Sequence, residues 1–293
     1  MDRQSWMVLQ GLIRRAVSAV GRSRRVVFSD ALILKMYFWS VAHDRPLSWA
    51  CDREHYHGCF LPRRLPSVSQ FCRRVGGAVF QRHLQHMQDA QTDQRRLGLL
   101  NFLDGKPLPV SGFSRDPEAR KGWGVGQMSK GYKLHALVRS DRHIVAWSVL
   151  PMNCNEMVVA HSLVSETAPV PKGAVFMADR NYDAHSLHKR VHSLGGWLWV
   201  KPRGAATHPT TRYQMGPARR AVLDVWEQTP RHAQSLYNQR LNIESTFSNL
   251  VSTAGGLGPL PTFVRRLSRV RRWVGAKIIL YHLRLKQRTA MTA

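Results

Sequence analysis

Two short apolar runs, Leu99-Leu100-Asn101-Phe102-Leu103 and Val175-Phe176-Met177-Ala178, each end in an aspartate, Asp104 and Asp179. Runs of four or five residues are strand-sized rather than helix-sized, so this chain carries a sheet with an acid at the end of each of two strands. A third acid, Glu244, lies in Tyr237-Asn238-Gln239-Arg240-Leu241-Asn242-Ile243-Glu244-Ser245-Thr246-Phe247, a segment that reads as a helix. Two carboxylates at strand ends and a third on a helix suit a divalent-metal phosphoryl-transfer site. Hard oxygen ligands hold Mg²⁺ while leaving positions open for phosphate and water.

The charge balance points to the substrate class. The 293 residues include 44 Lys and Arg against 18 Asp and Glu, a net charge of +26, yet 43% of the chain is hydrophobic. That is enough for a folded core, and a folded protein this basic favours a polyanion such as nucleic acid. Glu244 is the last acidic residue, and nine Lys or Arg fall between Arg265 and Arg288. The best apolar stretches are short and broken by Lys or His, so no membrane span is expected, and Arg14-Arg15 stand where a signal peptide needs its apolar region. A cytoplasmic protein is the expectation. The four cysteines form no CxxC pair. The Cys51…Cys59 segment, with His55 and His57, matches no common zinc-finger spacing and reads as a helix end followed by a His-rich loop.

Residues 1–95 read as an all-helical domain. Ser29-Asp30 caps a helix from Ala31 to Val41, and Leu65-Pro66-Ser67 starts another in which Val68, Phe71, Cys72 and Val75 recur at helical spacing. This block is either a helix-turn-helix-like DNA reader or a helical cap on the next domain. Residues 96–293 change period. Lys133 to Arg139 and His143 to Leu150 form a hairpin about Ser140-Asp141-Arg142. Asn155-Glu156 opens a helix through Val164, and Val175 to Ala178 is a strand. Asp183 caps a helix ending near Gly195-Gly196, and Trp197 to Lys201 is a further strand. Residues 203–235 read as loop-rich. The order is α/β, with an antiparallel hairpin and parallel crossover strands. The tryptophans Trp123, Trp147, Trp197, Trp199 and Trp273 are most simply core, and His135 is most simply packed within the sheet.

On the late helix, Tyr237, Arg240 and Glu244 stand at i, i+3 and i+7, on one face, beside an apolar stripe of Ile243, Phe247, Leu250 and Ala254. Arg suits a phosphate because its guanidinium donates in a planar fork. An amphipathic helix with an Arg–Glu pair at i, i+4 is the plainer reading.

Several motifs in order carry a resemblance. They are Phe28-Ser29-Asp30, Leu65-Pro66-Ser67, Leu103-Asp104-Gly105-Lys106-Pro107-Leu108-Pro109-Val110, Gly131-Tyr132-Lys133-Leu134-His135, Leu150-Pro151-Met152-Asn153, Ala178-Asp179-Arg180-Asn181-Tyr182-Asp183, the Tyr-x2-Arg-x3-Glu signature at Tyr237, and Ala276-Lys277-Ile278-Ile279-Leu280-Tyr281. Together they resemble the DDE transposases of bacterial insertion sequences over nearly the whole chain. The resemblance implies an RNase H-like mixed sheet flanked by helices, carrying a basic C-terminal helix. It implies Asp104, Asp179 and Glu244 as catalytic, metal-ligating acids for two Mg²⁺ (or Mn²⁺) ions. It implies Tyr237 and Arg240 as contacts to the DNA backbone, with Arg180 and Tyr182 bordering the site. Terminal inverted repeats and target DNA are the implied partners, on a homodimer or larger assembly. Many relatives have Lys seven residues after the glutamate; here Val251 stands there, and Arg265 or Arg266 would supply the contact. Many also have Lys-Gly after the second aspartate, where this chain has Arg180-Asn181. A non-catalytic DNA-binding derivative and a metal-dependent nuclease without strand transfer are the alternative functions.

Overall fold

The computed structural model describes residues 3–21, 23, 26–58, 60–91, 97–124, 126–167, 169–203, 215–252 and 256–292, with backbone alone for 288–292. Cys59, Ala254 and most of the first half of the 203–235 segment lie outside them. The chain divides into two compact units, Met1–Asp93 with Phe113–Pro117 and Asn249–Ala293, and Gln94–Gly112 with Glu118–Ser248.

The first unit is helical: α1 (Arg3–Val20), α2 (Asp30–Ala42), α3 (Val68–Gly76), α4 (Ala78–Gln91) and the long basic α10 (Leu267–Thr292). The sequence signals for α2 and α3 hold. Ser29 caps α2 by accepting from the Leu32 N–H, and Ser67 makes a reciprocal capping box with Gln70 at the start of α3. The basic C-terminal helix groups with these helices rather than with the sheet. It packs on α1, α2 and α4. Its Lys277 is fully buried, donating to the Val41 carbonyl at 2.9 Å and to Asp44 at 2.6 Å, as a buried ammonium requires. Asp30 is buried too, held by the Ser23 N–H and hydroxyl and by Arg74.

The second unit is a mixed sheet with helices: β1 (Leu100–Pro109), β2 (Arg120–Trp123), β3 (Met128–Arg139), β4 (Ile144–Pro151), α5 (Glu156–Glu166), β5 (Val175–Ala178), α6 (His185–Ser193), β6 (Trp197–Trp199), α7 (Pro217–Gln228), α8 (Pro230–Asn238) and all but the last turn of α9 (Leu241–Ser252), which the division assigns to the first unit. The path across the sheet is β2-β3-β1-β5-β6, with β4 also on β3. The contacts of β1 with β3 and of β3 with β4 are antiparallel, while β1–β5 and β5–β6 are parallel. This is the RNase H-like arrangement. The hairpin turns where expected, with Arg142 at φ 68, and Asn155 caps α5. The core lies between the sheet and α5 and α6, built from Leu103, Leu137, Val159, Leu163, Phe176, Ala178, Leu187 and Val191 among others.

Four local expectations are corrected. Within 203–235, the described part holds two helices rather than a loop. Each starts with Pro at its first turn, and α7 buries Ala218, Val222 and Leu223. Asp183 caps nothing: α6 follows Ala184 without a side-chain cap, and Asp183 is committed elsewhere. The last strand stops at Trp199. Trp123 is 62% exposed on the edge strand β2 rather than in the core.

Candidate active site

The register of the two central strands brings Asp104 and Asp179 together. Leu103 pairs with Ala178 across the parallel β1–β5 ladder, so each aspartate stands one residue beyond the same rung. Neighbouring strands run about 4.8 Å apart and residues in register point to the same face. Each carboxylate is steadied by local backbone. Asp104 accepts from the Gly105 N–H at 2.7 Å, and Asp179 accepts from the Asn181 N–H at 2.7 Å. Neither makes an ion pair among the described residues.

Burial governs their electrostatics. It pushes the Asp104 carboxyl up to about 6, and the Asp179 charge adds to the rise, while the Gly105 N–H and Arg240 oppose it. Burial likewise raises Asp179, aided by the charge of Glu156 and opposed by the Asn181 N–H and Arg240.

The third acid is placed differently. The helix around Glu244 is broken: α8 ends at Asn238, and the chain passes through Gln239 and Arg240 in tight i→i+3 turns before α9 begins. Tyr237 and Glu244 are thus on separate helices, joined through Arg240. Its guanidinium lies 5.7 Å from the Tyr237 ring and donates to Glu244 at 2.8 Å. Glu244 is exposed. Tyr237 is anchored from behind, its ring edge-on to Trp226, which in turn stacks on Trp199 of β6. The apolar stripe holds, with Ile243, Phe247 and Leu250 buried. Val251 is 38% exposed.

Among the described residues, no three His, Cys, Asp or Glu side chains converge as a ready metal-holding group. Asp104 and Asp179 do fit a divalent ion: two hard oxygen donors, crowded, half-desolvated and without a paired cation. Arg180 is exposed beside Asp179, and Arg265 and Arg266 are exposed in the other unit. Tyr182 faces inward instead. It is 1% exposed, and its hydroxyl has no hydrogen-bond partner.

Sequence reasoning misses a cluster beside the two aspartates. Glu156, the first residue of α5, receives the Lys133 ammonium at 2.5 Å. Its charge reaches Asp104, Asp179, Tyr182 and His135. The signal that could have found it is Lys133 itself, a lysine inside an apolar strand, which needs a partner. Burial drives the His135 imidazole down to about 4, so it is neutral at pH 7, and neither ring nitrogen has a partner.

The family is settled by comparison: the model of the transposase DDE domain matches residues 97–283. The chain belongs to that family. A solved piggyBac transposase, in a synaptic complex with hairpin DNA, is similar at 9% identity and a TM-score of 0.48, over 93% of this chain and 70% of that chain. No curated protein matches the sequence. Among the described residues, no helix is long and apolar enough to cross a membrane.

Proposed function

We propose that this chain is the DNA transposase of a bacterial insertion sequence, cutting the element's ends and joining them to target DNA in a metal-dependent reaction. The observation that carries the reading is the pair Asp104 and Asp179, each one residue beyond the same rung of two parallel strands, both raised by burial and neither ion-paired among the described residues. A site left unsatisfied in this way suits a divalent cation. Asp104 and Asp179 would hold Mg²⁺ or Mn²⁺, with Glu244 as the third carboxylate. Ions held there supply Lewis-acid polarisation of a phosphate oxygen and an acidified water.

The remaining work belongs to the protein. Arg240, cradled by the Tyr237 ring, presents a forked donor to a backbone phosphate. Its present bond to Glu244 is an exposed i, i+4 pair, worth a few tenths of a kcal/mol by type, so a phosphate displaces it readily. Arg180 extends the phosphate track beside Asp179. Arg265 and Arg266 offer further backbone contacts, and terminal repeats and target DNA would be bound by two or more copies. No covalent protein intermediate is needed, because the freed 3′ hydroxyl is itself the nucleophile for joining. The N-terminal helices, rich in basic side chains, would read or grip DNA, and the protein would work at the nucleoid.

The test is an assay on supercoiled DNA carrying the element's terminal repeats, with Mg²⁺ and with EDTA. Metal-dependent cleavage followed by joined products is the expected result. Cleavage without joining would identify a nuclease. Binding with neither would identify a non-catalytic derivative and overturn the proposal.

A further inference from the structure

Resting on the reading that this chain cuts and joins DNA, we propose that the β2–β3 hairpin is a wedge that enters a base step of the bound duplex. Trp123 and Met128 form its apolar edge, and Lys121 and Lys130 take the flanking phosphates. The strand register assembles these four side chains. Trp123 stands opposite Met128, and Lys121 opposite Lys130, in the antiparallel β2–β3 ladder. Alternation along each strand puts both pairs on one face. On that face Trp123 is 62% and Met128 60% exposed, Lys121 is exposed and Lys130 is half-buried.

The opposite face is closed by glycine. A Cβ added to Gly122 would run into the Met152 carbonyl, and one added to Gly131 into the Leu108 carbonyl. The Gly124 N–H donates to the Gln127 carbonyl at 2.8 Å, beyond the last rung. The hairpin is thus pressed by one face against the body of its own unit, which gives the other face the rigid mount that a wedge needs.

Two features of the outer face work against folding. Like charges directly opposite across a ladder destabilise it, and Lys121 and Lys130 stand so. A tryptophan and a methionine left in water forgo the gain of burial. A polyanion answers the first and an unstacked base step the second. Apolar side chains inserted between base steps partly unstack them while basic side chains hold the backbone. Charge decides for DNA over an apolar protein face: from Ala119 to Arg139 the chain contains no acid, and β2 and β3 carry Arg120, Lys121, Lys130, Lys133 and Arg139.

Strand β3 also sets the distance to the chemistry. Ala136 is the register partner of Asp104, and Met128 lies eight residues earlier on the same strand and, by alternation, on the same face. At about 3.3 Å per residue the separation is about 26 Å. A duplex rises about 3.4 Å per base pair, so the wedge enters about seven or eight pairs from the cut phosphate. It touches no reacting atom and positions the DNA end.

Fluorescence and band-shift titrations of the full chain test this, with duplexes carrying the element's terminal repeat and a single 2-aminopurine moved along it pair by pair. Wild type is expected to raise the fluorescence about threefold or more at one step, about seven or eight pairs from the cut, as unstacking requires. Trp123→Ala is expected to abolish that rise while the duplex stays bound, and Met128→Ala to reduce it. Both side chains are exposed, so both variants fold. Lys121→Gln is expected to lower the slope of log affinity against log salt by about 0.9. A bound duplex with no brightened position overturns the proposal, as does a rise that Trp123→Ala retains or a salt slope that Lys121→Gln leaves unchanged. A DNA-free dimer that Trp123→Ala dissolves would show a second copy covering the pair, and overturns it too. A wild type that binds no duplex overturns this inference together with the DNA reading on which it rests.

Discussion

Asp179 and Asp183 are four residues apart, on either side of one turn of 3-10 helix, and live in opposite electrostatic worlds. Asp183 accepts two bonds from the Arg219 guanidinium at 2.8 Å, one from the Arg203 N–H at 3.1 Å, and lies 3.3 Å from His188. Although burial alone would raise it, these partners hold its carboxyl well below the usual range. Asp179 has two bonds from Asn181 and no described cation paired to it, and its carboxyl is raised. Both are acids in the same loop, but one ties α6 to α7 and the other stands against its own burial. Asp183 is surrounded by donors; Asp179 is not. Asp104 repeats the second pattern, and Asp30 in the helical unit repeats the first.

The comparison breaks first, and most visibly, on catalysis. Asp104→Ala and Asp179→Ala are expected to lower end cleavage by more than the roughly 10–100-fold typical of losing an outer-shell partner of a metal, with folding intact. Near wild-type cleavage by either variant would remove that residue from the site. The opposite is expected for Asp183→Asn. Removing one partner of a buried ion pair typically costs about 3–5 kcal/mol, so denaturant melts should show a large stability loss, with the Mn²⁺ affinity of the folded fraction unchanged. A stable Asp183→Asn would erase the contrast.

A third expectation concerns pH. Asp104 has its folded-state carboxyl raised to about 6 from a reference of 3.8. The favourable contribution of the protonated form is therefore fully present below pH 3.8 and is lost as pH rises through about 6. Metal-free wild type should be less stable than Asp104→Asn by on the order of 3 kcal/mol at about pH 7.5, and by much less near pH 4. For Asp183 the sign reverses: its contribution is present above the ordinary carboxylate pKa and is lost as pH falls through its depressed value. Parallel melts of wild type and the two variants should place the two changes in separate windows: the wild-type-minus-Asp104→Asn difference moves between about pH 4 and 6, while the wild-type-minus-Asp183→Asn difference is flat across about pH 4–8 and shrinks only in stronger acid, and a difference for Asp183→Asn that changes between about pH 4 and 8 would contradict the assignment.

The smallest effect concerns Val251. It is 38% exposed, so Val251→Lys buries no charge, and a lysine there is expected to tighten end binding by about tenfold, at the low end for a charge-assisted contact. Arg265→Ala and Arg266→Ala should each reduce the slope of log affinity against log salt by about 0.9. Band-shift titrations at several salt concentrations measure both. An unchanged slope would exclude those arginines as phosphate contacts.

Much of this is legible in the sequence where local chemistry decides structure. Ser29 and Ser67 act as caps, the strand before Asp179 lies where its apolar run places it, and the hairpin turns at Arg142, whereas Asp104, which the apolar run places at a strand end, lies within β1, whose ladder with β3 runs on to Pro109. The features that escape sequence reasoning depend on tertiary partners. Asp183 resembles a cap because aspartate before a helix usually is one, but Arg219, 36 residues later, claims it. The Tyr237–Glu244 periodicity runs on through a break that only the backbone turns at Gln239 and Arg240 create. Pro217 and Pro230 look like loop punctuation and so hide α7 and α8, although proline in the first turn of a helix is favoured. Glu156 reads only as the start of a helix, since its role arises from a lysine on a strand 23 residues earlier.

The central claim is that Asp104 and Asp179 are left uncompensated in order to receive a divalent ion. Thermal melting at about pH 7.5 of wild type and Asp104→Asn, with and without Mg²⁺ or Mn²⁺, tests it most directly. The account predicts that metal-free Asp104→Asn melts above metal-free wild type, that metal raises the wild-type melting temperature, and that metal leaves Asp104→Asn where it was. A wild type indifferent to metal, or an Asp104→Asn variant that melts below it, would contradict the account.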